Sequence, residues 1–203
     1  VVLGLEVERA YFARGSRHVA GVDEVGRGPW AGPVIAAAVV VGPESPQLEG
    51  VNDSKQLTRR RREQLAAAIV STLCYAVGAA STREIDRLNI RRATALAMRR
   101  ALARLPCRAD TVLVDGLPVP ELGLAHEAIV DGDAKSFSIA CASIVAKTVR
   151  DRLMRLLAVR YPDYGWDHNS GYGTPAHREA IERAGVTPHH RRSFTPVLQR
   201  NLF

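Results

Sequence analysis

Apolar residues fall into short blocks of strand length in the first half of the chain and into longer helical repeats in the second. Residues 18–23 (HVAGVD) read as a strand running into a glycine-rich turn. Residues 33–41 (PVIAAAVVV) form an unbroken apolar run, the pattern of a strand buried on both faces. A loop of Gly, Pro, Glu and Ser follows, and Thr58 is placed as the N-cap of a helix over TRRRREQLAAAIV. Residues 73–80 predict a strand, and residues 81–89 a helical turn or short helix. Residues 91–105 (RRATALAMRRALARL) make the clearest amphipathic helix, with Ala93, Leu96, Ala97, Ala101, Leu102 and Leu105 in one stripe opposed by five arginines. Residues 111–114 (TVLV) predict a buried strand stopping at Asp115-Gly116, and residues 127–130 a shorter one stopping at Asp131-Gly132. A long helix is expected from 138 to about 160 and another over 175–184. The first 17 residues are mixed polar, helical or frayed, and the segment from 185 onward is loop-like and basic.

Early strands lie close together and helices dominate later. The expected architecture is therefore an α/β domain with a mixed sheet, its first strands antiparallel and its later ones joined through helices. At 203 residues the chain suits one domain with a sizeable core. No apolar run approaches the ~18 residues of a membrane span. The N-terminal VVLGLEVERA carries acids early and does not read as a signal peptide. Cys74, Cys107 and Cys141 form no CxxC pair, and an odd number closes no disulfide set. They are expected as buried thiols of a cytoplasmic protein rather than a zinc site.

Charge sharpens the picture. The net charge is +7, and all but Lys55, Lys135 and Lys147 of the 28 cationic residues are Arg, which favours an anionic partner such as nucleic acid. Within this basic chain, Asp23, Glu24 and Asp115 stand at the ends of apolar strands, and Asp133 stands just before a helix. Strand ends converge on one rim of an α/β sheet, where sites are built. Crowded carboxylates need a shared proton or a cation, and an all-oxygen set suits Mg²⁺ or Mn²⁺. Two such ions about 4 Å apart can serve phosphodiester hydrolysis. Adjacent residues of a strand point to opposite faces, so Glu24 is expected where the strand breaks, aided by Gly26 and Gly28. The turn VGRGPWAGP lacks the Gly-Lys-Ser/Thr of a phosphate loop and leads into a strand, so the common nucleotide fingerprints fail.

Taken together, these segments resemble ribonuclease HII. DEVGRGPWAGPV (23–34) is similar to that family's opening motif, and NDSKQLT (52–58) to its "DSKKLT" segment, with Gln56 where Lys is common. Val114-Asp115-Gly116 matches its "DG" strand end. Gly132-Asp133, then SIACASIVAK (138–147) and Arg150-Asp151, match its long-helix signature. Gly171-Tyr172-Gly173-Thr174 resembles "GYPT" with Gly173 in place of Pro, and HHRRSF (189–194) resembles its C-terminal block. The matches run in order from residue 21 to 194.

The resemblance implies a ribonuclease H-like fold over 1–203, with a helical C-terminal part from about 160. It also implies a monomeric endonuclease, away from membranes, that cuts RNA in RNA·DNA hybrids and incises at single ribonucleotides in duplex DNA. The products would be 5′-phosphate and 3′-hydroxyl ends. By position, Asp23, Glu24, Asp115 and Asp133 would hold the metals, with Asp131 and Asp151 as competitors for the fourth place. Asp151 lies on one helix face with Ser143 and Lys147, where a partner for Lys147 or Arg155 is the plainer role. Gly26, Arg27 and Gly28 resemble the loop whose backbone reads the ribose 2′-hydroxyl, the one group separating RNA from DNA. Tyr172 resembles the tyrosine that packs on the junction sugar. Lys55, Ser143, Lys147 and Arg150 are candidate phosphate contacts. The related HIII type carries an extra N-terminal domain and lacks Arg in the glycine loop, so Arg27 favours HII. The last residues, Gln199, Leu202 and Phe203, resemble the Q-x-x-L-F peptides that bind sliding clamps. The residues alone also fit a non-catalytic duplex-binding protein or another nuclease of the same fold. Cleavage at a lone ribose separates these readings.

Overall fold

The computed structural model describes residues 3–198. A short helix α1 (Glu6–Phe12) precedes β1 (Val19–Val25) and β2 (Val34–Val41). Then come α2 (Arg59–Thr72), β3 (Cys74–Ala80), α3 (Thr82–Leu88), α4 (Ile90–Ala103), β4 (Thr111–Asp115) and β5 (Glu127–Ile129). The chain continues with α5 (Phe137–Arg160), α6 (Trp166–Asn169), α7 (Pro175–Ala184) and α8 (Thr195–Leu198). The strands form one sheet in the order β3-β2-β1-β4-β5. Pairing is antiparallel from β3 through β2 to β1, and parallel from β1 through β4 to β5. This is the mixed sheet expected from the sequence.

Local chemistry sets the boundaries. The Thr58 hydroxyl accepts from the N–H of Arg61 and starts α2, while Ser81 and Glu84 close a capping box on α3. β2 is buried along its whole length, and its side chains alternate. Ile35, Ala37, Val39 and Val41 pack toward α2 and α5, whereas Val34, Ala36 and Ala38 pack toward α4 with Val22 and Val114. The sheet is thus the middle layer between α5/α2 and α4, which explains the continuous apolar run. α5 sits very close to β1, because a Cβ on Gly21 would collide with the backbone of Ser138 and Ile139. A third cluster, around Trp166, Tyr164, Met154 and Ile181, joins the C-terminal helices to the glycine-rich turn at Ala31.

Two expectations change. Cys74 and Cys107 are not thiols but a disulfide, with Cα atoms 6.8 Å apart, and Cys141 is the free buried cysteine. The reason is topological. β3 starts beside the segment that follows α4, a proximity that spacing along the chain does not reveal. The segment after 185 also contains a short helix, α8, where loop alone was expected. Among the described residues no helix is long and apolar enough to cross a membrane.

Candidate active site

β1 and β4 run parallel, with Val22 opposite Val114, so Asp23 and Asp115 follow one step later on the same rim. β4 ends at Asp115. One carboxylate oxygen of Asp115 accepts from the N–H groups of Gly132 and Asp133 at 2.7 and 3.3 Å, drawing the turn before α5 against the strand end. Asp133 is thereby buried beside Asp115, and Lys55 Nζ lies 3.4 Å from its carboxylate. Asp131, in a left-handed conformation, points outward, with Lys135 at 3.9 Å. Asp151 is paired with Lys147 at 2.7 Å and Arg62 at 3.4 Å. Of the three competitors, Asp133 is the one the fold turns toward Asp115.

The expected strand break at Glu24 does not occur. β1 stays paired to β2 through Val25, with Glu24 opposite Ala36, and the chain turns only at Gly26, where φ is +91°. A continuous strand must alternate its side chains, so Asp23 and Glu24 face opposite sides. Asp23 lies against α5, where the Ser143 side chain acts on its carboxylate and favours its charged form, and the Ser143 and Ser54 hydroxyls lie 2.9 Å apart. Glu24 faces a cavity of about 490 Å³ that is also lined by Arg27, Asp115 and Met98. Asp115 stands at the rim between them, and its charge acts on both. Among the described residues no three His, Cys, Asp or Glu side chains converge as a preformed metal cluster.

Electrostatics follow from this crowding. Burial, then the charges of Glu24 and Asp115, hold the Asp23 carboxyl well above the usual carboxylate range. Burial also raises Glu24, opposed by Arg27, whose Nη1 lies 3.3 Å away. Asp133 is raised by burial and by Asp115, opposed by Lys55.

The candidate phosphate contacts divide. Lys55 reaches the rim with an exposed side chain. Ser143 does not. It is buried beneath Asp23, which turns it from a phosphate contact into a support for that carboxylate. Lys147 is engaged by Asp151. Arg150 is wholly buried and donates to the carbonyls of Pro33, Ser170 and Ala31, so it holds backbone rather than phosphate. Tyr172 is 48% exposed and its ring lies beside the loop at Gly28, where a Cβ would stand 3.5 Å from it. Residues 199–203, with Gln199, Leu202 and Phe203, lie outside the described residues.

Sequence reasoning missed Arg191, which sits inside the HHRRSF segment and is fully buried under the glycine-rich turn. It also missed the buried pair His177 and His190, whose Nε2 atoms are 3.1 Å apart. The HHRRSF segment as a whole signalled Arg191 and His190, and no motif signalled His177.

The sequence model of ribonuclease HII matches residues 20–197, every acid of the rim included. The chain belongs to the ribonuclease HII family. With membership comes ribonuclease H endonuclease activity. The ribonuclease HII of Paracoccus denitrificans (strain Pd 1222) is 57% identical over 94% of this chain and 91% of its own length. The ribonuclease H2 of Pyrococcus horikoshii OT3 superposes with a TM-score of 0.75 at 32% identity, covering 90% of this chain and 96% of that one. The ribonuclease HII of Archaeoglobus fulgidus, solved in complex with PCNA, gives 0.72 at 28% identity over 85% and 93%. The fold of this chain is thus the ribonuclease H-like one that its motif order implied.

Proposed function

We propose that this member of the ribonuclease HII family hydrolyses the RNA strand of RNA·DNA hybrids and cuts 5′ of single ribonucleotides embedded in duplex DNA, leaving 5′-phosphate and 3′-hydroxyl ends. The observation that carries the reading is the rim itself. Parallel β1 and β4 bring Asp23 and Asp115 level, and Asp115 ties the Asp133 turn to them. Asp23, Glu24, Asp115 and Asp133 are the residues that would hold divalent ions. The donor set fits hard cations, being all carboxylate oxygen. The cations that face these acids, Lys55 and Arg27, have side chains 78% and 56% exposed and can swing aside. Bound there, Mg²⁺ or Mn²⁺ supplies Lewis-acid activation of water and stabilisation of the leaving oxygen. The chain's own residues do the rest. Ser143 orients Asp23, Asp115 sets the position of Asp133, and the Gly26-Arg27-Gly28 backbone and Tyr172 receive the ribose. Lys55 and the arginine-rich surface hold the phosphates.

A duplex carrying one internal ribonucleotide and blocked ends tests this. Cleavage at the ribose with Mg²⁺ or Mn²⁺, abolished by chelator while salt-sensitive binding persists, is the expected result. Binding without any cleavage would instead favour a non-catalytic binder, and degradation from the ends an exonuclease. For a partner, we infer a sliding clamp, held through Gln199, Leu202 and Phe203. The PCNA complex of the Archaeoglobus relative supports this. Deleting residues 199–203 should abolish capture by immobilised clamp, and unchanged capture would end the idea.

A further inference from the structure

Arg191 is buried, and among the described residues every hydrogen bond of its guanidinium goes to a main-chain carbonyl of the glycine-rich turn. Nε and Nη2 donate to Gly32 O at 3.0 and 2.9 Å, Nη1 donates to Arg27 O at 2.7 Å, and Nη2 also donates to Gly26 O. The Phe194 ring covers the guanidinium at 5.1 Å. A second buried arginine, Arg150, holds the far end of the turn through Ala31 O and Pro33 O, and the neighbouring turn through Ser170 O.

These bonds fix the faces of two peptide planes. In a trans peptide the N–H points opposite to the C=O, and no peptide among the described residues is cis. The Gly26 and Arg27 carbonyls both aim at Arg191, so the N–H groups of Arg27 and Gly28 both aim away from it. Neither N–H donates to another described residue. Successive main-chain N–H groups presented to one side form a concavity that takes an electron-rich oxygen. The pair is flanked by the Tyr172 ring at Gly28 and by the Glu24–Arg27 ion pair.

We propose that Arg191 is a positioning residue for ribose recognition, its planar fork locking the 26–27 and 27–28 peptides so that two N–H donors meet the 2′-oxygen of the ribonucleotide. The inference rests on the substrate reading above and adds to it the part that makes the loop rigid. Lysine cannot replace the fork, because one ammonium cannot serve carbonyls spread across the turn with fixed planar geometry.

The test compares the affinity of the full chain for a duplex with one ribonucleotide and for its all-DNA counterpart, both in Ca²⁺. In Arg191→Lys and Arg191→Gln, the preference for the ribonucleotide duplex should fall at least tenfold while all-DNA affinity changes less than twofold. A merely structural role would lower the folded fraction and weaken both together, leaving the ratio intact. A folded variant that keeps the wild-type ratio overturns the proposal, as does a wild type with no preference. Wild-type NMR decides the matter even if neither variant folds. The Arg191 Nε–H should exchange slowly, and the Arg27 and Gly28 amides should shift with the ribonucleotide duplex but not with DNA. Fast exchange or equal shifts overturn it. Failure of the wild type to cleave in Mg²⁺ or Mn²⁺ would instead sink the substrate reading.

Discussion

Asp115 holds Asp133 in place: the carboxylate at the end of β4 accepts the main-chain N–H of the acid 18 residues further on at 3.3 Å, and that of Gly132 at 2.7 Å. One side chain therefore has two duties at the rim, as a candidate ligand and as the anchor of a neighbouring ligand.

Substitution separates those duties. Asp115→Asn keeps an oxygen acceptor for the two N–H groups and removes only the charge. Cleavage of the single-ribonucleotide duplex should fall by at least roughly a hundredfold, with duplex affinity and thermal midpoint close to wild type. Asp115→Ala removes the acceptor as well, and should cost a further roughly 1–3 kcal/mol of stability in urea titrations. Equal stability of the two variants would show that the anchor does not matter.

Asp151 is the counter-case. It lies near the rim in sequence register, yet its carboxylate is engaged by Lys147 and Arg62, and all three side chains are at most a quarter exposed. Asp151→Asn should destabilise the fold by roughly 1–3 kcal/mol, because it leaves two partly buried cations without their counter-charge. Cleavage per folded molecule should stay within about threefold of wild type. A hundredfold loss at full folding would make Asp151 a member of the site.

The disulfide should stabilise the protein without touching its chemistry. Cys74 begins β3, whose partner in β2 is Val40, at the end of the sheet opposite Asp23 and Asp115. Closing a loop across 33 residues restricts the unfolded chain and contributes roughly 4 kcal/mol. Reduction, or Cys107→Ser, should lower the urea midpoint accordingly and leave the cleavage rate of the folded enzyme unchanged. Mass spectrometry after alkylation reports the linkage directly.

What could be read from the chain was what local pattern controls. The unbroken apolar run of β2 and the acids that follow HVAGV and TVLV marked buried strands and set Asp23, Glu24 and Asp115 toward their ends. Asp133 needed the family register, since its burial depends on a hydrogen bond from a strand 18 residues away. Arg150 and Arg191 were illegible for a physical reason. A charged side chain is exposed unless it finds partners, and theirs are carbonyls 117 to 165 residues distant, with Ser170 O as the near exception. Ser143 was misplaced likewise, because its helix face is defined by Asp23 and Ser54 and not by its own neighbours. The disulfide required the fold before the pair could be seen.

The histidine pair beside the Tyr172 turn makes stability depend on mild acid. The N–H of Thr187 donates to His190 Nδ1 at 2.9 Å, so that nitrogen carries no proton. His190 then donates from Nε2 to His177 Nε2, which also accepts from Trp166 Nε1, and His177 Nδ1 donates to Tyr172 O. Both rings are neutral, and an added proton on either would confront a donor. Burial, then the neighbouring His177, pushes His190 down to about 3. A depressed folded value means that the unfolded chain binds the proton more readily. The contribution to stability is therefore complete above the unfolded histidine range near 6.5 and is lost as pH falls toward 3, by up to about 1.4 kcal/mol per pH unit. Between pH 7.5 and 5, urea stability should fall by roughly 2 kcal/mol more in the wild type than in His190→Asn, where the titrating group is gone. Parallel curves for the two proteins would show that His190 takes up a proton in the native state as readily as in the unfolded chain, and that the neutral network is wrong.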